Sequence, residues 1–406
     1  MDQISKIFSI QIINSLINGI LMIALPLLML NRGIDVVSLG LIYASLPMIF
    51  QLTRLFFATL SDVKGRKLFF VSNGILNILT LFTYHLAFSP FQFLLGKITE
   101  GTRDASLWAV NRPSILDRVK EKRKALSRLI SFNRVSEAVG RLASGFLIVW
   151  LLYENFILFC ISVALLILPI SLSLRETHRE KIKTRPLLHF LDPRKKSRAF
   201  KRFMISFFFL GLSQGLIRGY VFPLFLKESG VEPTTIGIFL AFQILFSGIV
   251  LSLLAGKSLK KILIYGGVFY SSTLFLIAFS GYMLAPLFVV IFGFAIGISD
   301  LLSEGIFSII TKKGSYGSDI GLLETGFHSA NTISQALSGI LIVVLGFPTL
   351  FCFSSIIFII FLSITYFSSE GCTARASTSA TSTTSNFSGN ASNRYKKVCR
   401  TLGVYL

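Results

Sequence analysis

The sequence predicts an all-α membrane protein of about twelve transmembrane helices, arranged as two six-helix halves that repeat one another. Three observations predict it: long apolar blocks, a charge pattern that alternates between successive loops, and matched segments at one internal offset. The 406-residue chain is 53% hydrophobic and 15% charged, where a soluble domain carries about a quarter charged residues. The apolar residues fall in blocks of about 20, the helix length that crosses roughly 30 Å of hydrocarbon. Spans are expected at roughly 8–30, 36–60, 68–86, 90–112, 129–150, 153–174, 203–226, 232–256, 262–281, 285–311, 319–344 and 347–367. The first block is too long for a signal-peptide core and lacks a small-residue cleavage site.

The net charge of +21 would suggest nucleic acid in a soluble protein, but its distribution reads as membrane topology. Lys6, the loop after span 2 (Lys64, Arg66, Lys67), the stretches Arg112 to Arg128 and Arg175 to Arg202, the loops after spans 8 and 10, and the tail together hold 32 Lys and Arg. The opposite loops hold only Arg32 and Lys227. The positive-inside rule then places both termini in the cytoplasm and requires an even number of spans. A multi-pass protein of the plasma membrane is expected, with the lipid bilayer and not nucleic acid as its large partner. The basic loops also suit anionic headgroups. Cys160, Cys352, Cys372 and Cys399 have no metal or redox spacing and read as inert.

The duplication is visible at an offset of about 195 residues. PLLMLNRGIDVVSLG (Pro26 to Gly40) matches PLFLKESGVEPTTIG (Pro223 to Gly237) in its Pro, both Gly and an acid. RLASGFLIV (Arg141 to Val149) matches QALSGILIV (Gln335 to Val343), and GTRDASLW (Gly101 to Trp108) aligns with GISDLLSE (Gly297 to Glu304). Such parallel repeats place a transporter's site between the halves. The expected division is a first bundle at 1–174, a charged cytoplasmic linker at 175–202 with a short surface helix, a second bundle at 203–368 and a disordered cytoplasmic tail at 369–406. The tail is rich in Ser, Thr and Ala and cannot bury much apolar surface.

The loop after span 2 reads Ala58-Thr-Leu-Ser-Asp62-Val-Lys-Gly65-Arg66-Lys67. It resembles the G-x-x-x-D-R/K-x-G-R/K-R/K motif of the major facilitator superfamily. Asp62, Gly65, Arg66 and Lys67 match; Ala58 stands for the first Gly, and Val63 for a basic residue. A weaker copy, Gly256-Lys257-Ser-Leu-Lys260-Lys261, falls at the repeat position and lacks the Asp. Gly permits a tight turn between antiparallel spans, and Asp62 near a span end can pair with Arg66 or cap a neighbouring helix. The resemblance implies the twelve-helix fold of that superfamily and a gating latch on the cytoplasmic side. Span 4 resembles a second motif, l-x-x-R-x-x-q-G, carried by some proton-coupled members, with Lys97 in place of Arg and Glu100 in place of Gln. Span 5 has no Gly-Pro pair of the antiporter type.

Eleven ionisable residues stand out inside spans: Arg54, Lys97, Glu100, Arg103, Asp104, Arg134, Glu137, Arg141, Arg218, Asp300 and Glu304. Facing lipid, they would cost on the order of 30 kcal/mol together, so they are expected to face protein or water. Spans 3, 6, 9 and 12 carry no charge away from their ends, and in the resembled fold these face lipid. Lys97, Glu100 and Asp104 share one helical face, as do Arg134, Glu137 and Arg141. The latter three map by the repeat onto a polar stripe, His328, Asn331 and Gln335. All are expected at a central cavity for solute or protons. A carboxylate in a poorly hydrated cavity takes up a proton more readily than in water, and a nearby cation opposes this. Asp300 and Glu304 have no basic neighbour in their own span and are the expected proton sites. Glu100, Asp104 and Glu137 have cations on their own helices and read equally as a structural ion network. Arg218 with Gln214 suits either an anionic solute group or helix packing. Asn14 and Asn18, on one face of span 1, suit a cavity contact or an interhelical hydrogen bond.

No HExxH, P-loop or nucleophile elbow occurs, so no enzyme, cofactor or metal site is expected. The residues point to a monomeric secondary transporter of a small solute working by alternating access and coupled to protons. A multidrug-type exporter of the same superfamily and a transporter-like receptor or scaffold that moves nothing are the alternatives.

Overall fold

The computed structural model describes residues 2–118, 122–176, 196–254, 257–310 and 316–381. Among these, the regular structure is helical: α1 (Gln3–Asn31), α2 (Val36–Lys64), α3 (Lys67–Leu86), α4 (Pro90–Leu116), α5 (Lys122–Leu165), α6 (Ile167–Leu172), α7 (Arg198–Ile217), α8 (Val221–Glu228), α9 (Pro233–Leu253), α10 (Leu259–Lys261), α11 (Gly267–Phe279), α12 (Gly281–Ile310) and α13 (Tyr316–Thr381). A π-turn at Ile262–Gly266 joins α10 to α11.

Local chemistry sets the helix ends. Asp2, Asp35 and Ser197 cap α1, α2 and α7 by accepting the backbone N–H three residues on. Ser89 and Gln92 form a reciprocal capping box on α4, with Pro90 in its first turn. Gly65, at φ 92°, ends α2 in a backbone region that a side chain would oppose. Asp35 stands between the first two spans. Its carboxyl is held below the usual carboxylate range by the Ser38 hydroxyl and backbone N–H. A lowered folded value means its contribution is present at neutral pH and is lost as pH falls through that value. Asp35→Ala is expected to cost about 1 kcal/mol, read as a lower thermal midpoint in detergent at pH 7 that shrinks towards pH 3.

Among the described residues, ten stretches are long and apolar enough to cross a membrane. One of them, Asp319–Ser368, is broken at Gly346 (φ 77°) into two limbs. α4 has the length but carries Lys97, Glu100, Arg103 and Asp104 within about two turns, which lowers its hydropathy. Counting both limbs and α4 gives twelve candidate crossings among the described residues, a number consistent with the expectation. α5 likewise contains two limbs, divided at Leu152 (φ 61°).

The packing repeats as the sequence does. In the first half α1 lies on the first limb of α5 and α2 on α4; in the second, α7 lies on α13 and α9 on α12. Gly101 and its repeat mate Gly297 show the same device. A β-carbon at Gly101 would stand 3.1 Å from the Leu46 carbonyl of α2, and one at Gly297 would stand 2.9 Å from Val250 of α9. The halves meet where α2 packs on α13 and α5 on α9.

Side-chain contacts mark two faces. On the basic face Lys6 donates to the Ser173 carbonyl (2.8 Å) and Lys196 to Asp319 (2.6 Å). On the opposite face Arg32 donates to the Tyr84 carbonyl (3.2 Å) and lies 4.3 Å from the Phe88 ring, while Phe225 packs on Phe347.

Three features differ from expectation. Span 7 is two helices, α7 and α8, because Arg218 turns extended (φ −82°, ψ 170°) and Gly219 takes φ 73°. Span 3 is not simply a lipid-facing helix, since Asn73, Asn77 and Thr80 are fully buried. The last helix runs to Thr381, into the segment expected to be disordered from residue 369. Extending an existing helix adds one bond per residue fixed and avoids the cost of nucleation. The surface helix expected in the linker, the remainder of the tail and Gly256 of the second motif copy fall outside the described residues.

Candidate functional site

The polar residues of the spans sort into three groups. The first is a closed network within the first half. Arg103, with no exposed surface, donates from Nε (3.0 Å) and Nη2 (2.8 Å) to Asp104, to Asn18 and to Asn77 (3.4 Å). Asn14, Asn73 and Asn77 bond one another at 2.8–3.2 Å, and Asn73 donates to the Arg103 carbonyl (3.0 Å). Beside them Lys97 donates to Glu100 (2.8 Å), which also accepts from Tyr84, and Lys97 lies 4.1 Å from the Tyr43 ring centroid. Each buried charge here has an opposite charge against it, the condition for holding ions away from water.

The second group crosses between the halves. Arg54 of α2 pairs with Glu324 of α13, and Arg134 of α5 with Asp300 of α12. Arg141 bonds Glu137 one turn back (2.6 Å) and reaches across to the Leu240 carbonyl (3.2 Å) and Gln243 (3.4 Å) of α9. Gln51 of α2 donates to the Gly321 carbonyl (3.1 Å) and Thr325 hydroxyl (2.9 Å) of α13. Asp300, which has no basic neighbour in its own span, has one on another helix. Helical spacing reveals partners on the same helix and is blind to Arg134 on another.

The third group is left without ionic partners among the described residues. Glu304 is exposed, one turn beyond Asp300. Arg218 is also exposed, although it stands among the central helices, with the guanidinium 5.7 Å from the Phe327 ring centroid. Gln214, one turn before it, donates to Ser299 (2.7 Å). On α13, His328 packs against Phe50 with ring centroids 5.3 Å apart and the rings tilted, and Asn331 and Gln335 are buried. His328 Nδ1, Asn331 Oδ1, Gln335 Oε1 and Gln214 Oε1 are buried atoms without a hydrogen-bond partner among the described residues. Burying an unmade hydrogen bond costs roughly 1–3 kcal/mol each, so several together in one region mark a place built for a guest or for water.

The motif after span 2 lies at the basic face. Arg66 pairs with Asp117, and its backbone N–H, with that of Lys67, points to the Glu176 carboxylate at 2.8 and 3.4 Å. These contacts tie the α2–α3 turn to the ends of α4 and of the first half. Asp62 is on the last turns of α2; its side chain is outside the described set.

Sequence reasoning missed Glu324, Gln51 and Gln243, which the structure brings to the junction of the halves, and Asn73, Asn77 and Tyr84, which it brings into the first-half network. Glu324 was legible as an acid within span 11, and Asn73 and Asn77 as an i, i+4 polar pair in an otherwise apolar span.

Comparison with known proteins agrees with this architecture. A search of curated proteins gives no significant match. Among solved structures, the nucleoside transporter NupG superposes with a TM-score of 0.72 at 12% identity, over 90% of this chain and 99% of that one. A point mutant of the same transporter gives 0.77 at the same identity and coverage. The human organic anion transporter MFSD10 (TETRAN) gives 0.67 at 16% identity, over 89% of this chain and 98% of that one. At these identities the likeness is one of fold. The family model of the Major Facilitator Superfamily matches residues 7–303, which span nearly all of the first bundle and the second as far as α12. With its two repeated halves and the ion pairs that join them, the chain belongs to the Major Facilitator Superfamily, a family of membrane transporters.

Proposed function

We infer that this chain is a secondary active transporter that moves a small solute by alternating access and couples the movement to protons. The units that rock are the bundles 1–174 and 203–368, with both termini in the cytoplasm of a plasma-membrane protein. The observation that supports this reading is the pair of ionic contacts between halves, Arg54 with Glu324 and Arg134 with Asp300, beside the carboxyl of Glu304, which has no ion pair among the described residues. Neutralising Asp300 removes the attraction that holds α5 to α12, so a proton arriving there loosens one junction of the halves. Glu304, exposed and one turn nearer the basic face, can take a proton from water on that side and relay it. A carboxylate can load and unload in this way only where its counter-charge is displaced in step with the bundles. The polar, charge-paired lining suits a hydrophilic solute better than the aromatic surface a drug exporter would use.

The test is purified protein in liposomes with an imposed pH gradient and a panel of small polar solutes. Wild type is expected to show solute-dependent proton movement. Glu304→Gln is expected to reduce that movement to background while solute exchange without a gradient persists. If no solute moves and Asp300→Asn changes nothing, coupled transport is excluded and the scaffold reading gains.

A further inference from the structure

The pairing at the junction leaves one cation, Arg218, and one anion, Glu304, apart on different helices. Around Arg218 the strongest electrostatic neighbours are Asp300, Arg134, Tyr270 and Glu137. Arg134 is matched by Asp300, and Glu137 by Arg141. Arg218 is the cation left without an ion pair, and the unpaired anion, Glu304, lies one turn beyond Asp300 on another helix. Its guanidinium has no hydrogen bond or ion pair among the described residues and keeps an exposed surface, resting on Phe327. A cation is tolerated there only because water or a guest reaches it.

The backbone holds it in place. The extended turn at Arg218 and the positive φ of Gly219 interrupt span 7, and a β-carbon at Gly219 would stand 2.9 Å from the Tyr43 ring. The interruption is therefore packed against α2, and Arg218 leaves the helix at a fixed point. Interrupted helices near the midplane are where transporters of this kind place solute contacts.

The surroundings supply a second, separate signal. Gln214, Asn331 and Gln335 are 6%, 3% and 7% exposed, and each has a side-chain oxygen with no donor among the described residues. Asn331 packs directly on α7, since a β-carbon at Gly215 would stand 2.9 Å from its Cα. His328 is within electrostatic reach of Arg218 and also leaves Nδ1 unpartnered. The region thus offers one fork-shaped cation and several acceptors that lack donors. The complementary guest carries one anionic head and several O–H or N–H donors.

We propose that Arg218 binds the anionic head of the solute and that Gln214, Asn331 and Gln335 accept hydrogen bonds from its hydroxyl or amino groups, which makes the solute class hydroxylated small organic anions. Guanidinium forks suit carboxylates and phosphate monoesters alike, so the head is of either kind. This assignment rests on the transporter reading and deepens it at the same site.

The test is thermal unfolding of the purified full chain in detergent, at fixed pH and ionic strength, with matched probes. Gluconate is set against gluconamide for the carboxylate arm, and glucose 6-phosphate against glucose for the phosphate arm. A broad set of other hydroxylated carboxylates and phosphate monoesters accompanies them. Binding to the native state raises the unfolding midpoint as ligand exceeds its Kd. At least one anion is expected to raise it where its neutral partner does not. Arg218→Gln is expected to weaken that binding by about tenfold or more, and Arg218→Lys by less, because it keeps the charge and loses the fork. Asn331→Leu is expected to weaken hydroxylated anions more than plain acetate. Midpoints without ligand report whether each variant is folded, and Arg218→Lys carries the comparison if Arg218→Gln does not fold.

Equal stabilisation by neutral partners, full retention of binding in Arg218→Gln, or no response to any anion in the set overturns the assignment. The readout uses no gradient, so its failure and that of coupled transport are separable. Movement of neutral solutes alone would uphold transport and sink the anion site. Anion binding without any movement would do the reverse.

Discussion

Arg103→Ala is expected to cost about 3–5 kcal/mol, the range for removing one partner of a buried ion pair. A typical domain is stable by only about 5–15 kcal/mol, so the variant should give a small yield of folded protein. Arg103 is the only fully buried guanidinium among the described residues and serves Asp104, Asn18 and Asn77 at once. Truncation leaves Asp104 without its cation and two amides without a donor, in a space lined by α1, α3 and α4. Glu100 suffers less, since Lys97 and Tyr84 still hold it. Arg103→Lys keeps the charge and cannot reach all three partners, so a smaller loss is expected. Removing both charges tests the reason directly. Arg103→Met with Asp104→Leu should recover much of the loss, because an apolar pair has nothing to desolvate. Thermal midpoints in detergent measure all three. An Arg103→Ala variant as stable as wild type would mean that water fills the space and the network holds nothing together.

That network shows what a sequence can and cannot reveal about such a chain. Hydrophobic blocks and the bias of basic loops are local properties, so span number and the two halves were readable from them. The repeat told more than fold: it matched Arg134, Glu137 and Arg141 to His328, Asn331 and Gln335, and both sets line the junction of the halves. Pairing was not readable. Asp300 and Arg134 are far apart in sequence and on different halves, and no spacing rule connects them. Asn73 and Asn77 carry no charge and so stand out little in an apolar span, although a buried amide in a helix bundle also needs partners. The interruption at Arg218 and Gly219 left a faint trace. Gly follows a charged residue in the middle of an apolar span, where either alone would be ordinary.

The second large effect is expected at the opposite face, from glycines that the repeat relates to one another. Gly40 corresponds to Gly237, and Gly145 to Gly339, in the two matched segments. The structure joins them crosswise, Gly40 against Gly339 and Gly145 against Gly237. A β-carbon at Gly40 would stand 2.9 Å from the Gln335 carbonyl and 3.0 Å from the Gly339 nitrogen. At Gly145 it would meet the Pro233 carbonyl at 2.7 Å and Thr234 Cα at 2.8 Å, and at Gly237 the Arg141 carbonyl at 2.9 Å. The obstacles are backbone, which cannot swing aside as a side chain does. Two junctions related by the repeat thus bring helix backbones into near contact at this face; α2 and α13 also carry the Arg54–Glu324 pair nearer the basic face, and α5 carries Arg134, which pairs with Asp300 of α12. On the proposed alternating access, Gly145→Leu or Gly339→Leu adds bulk only to the arrangement in which this face is closed. Overpacking costs about 1–3 kcal/mol, and about 1.4 kcal/mol is a tenfold change in an equilibrium. Each variant should therefore favour the arrangement open at this face and lower solute exchange in liposomes by about tenfold. Gly248→Ala is the control, since its β-carbon would find only the Arg134 side chain, with Cβ at 3.6 Å, and it should exchange normally. Gln335→Cys in the Gly145→Leu background should react faster with a membrane-impermeant thiol reagent added at the opposite face than in the parent. Unchanged labelling together with unchanged exchange would show that the crossings yield to a leucine and do not form the closure.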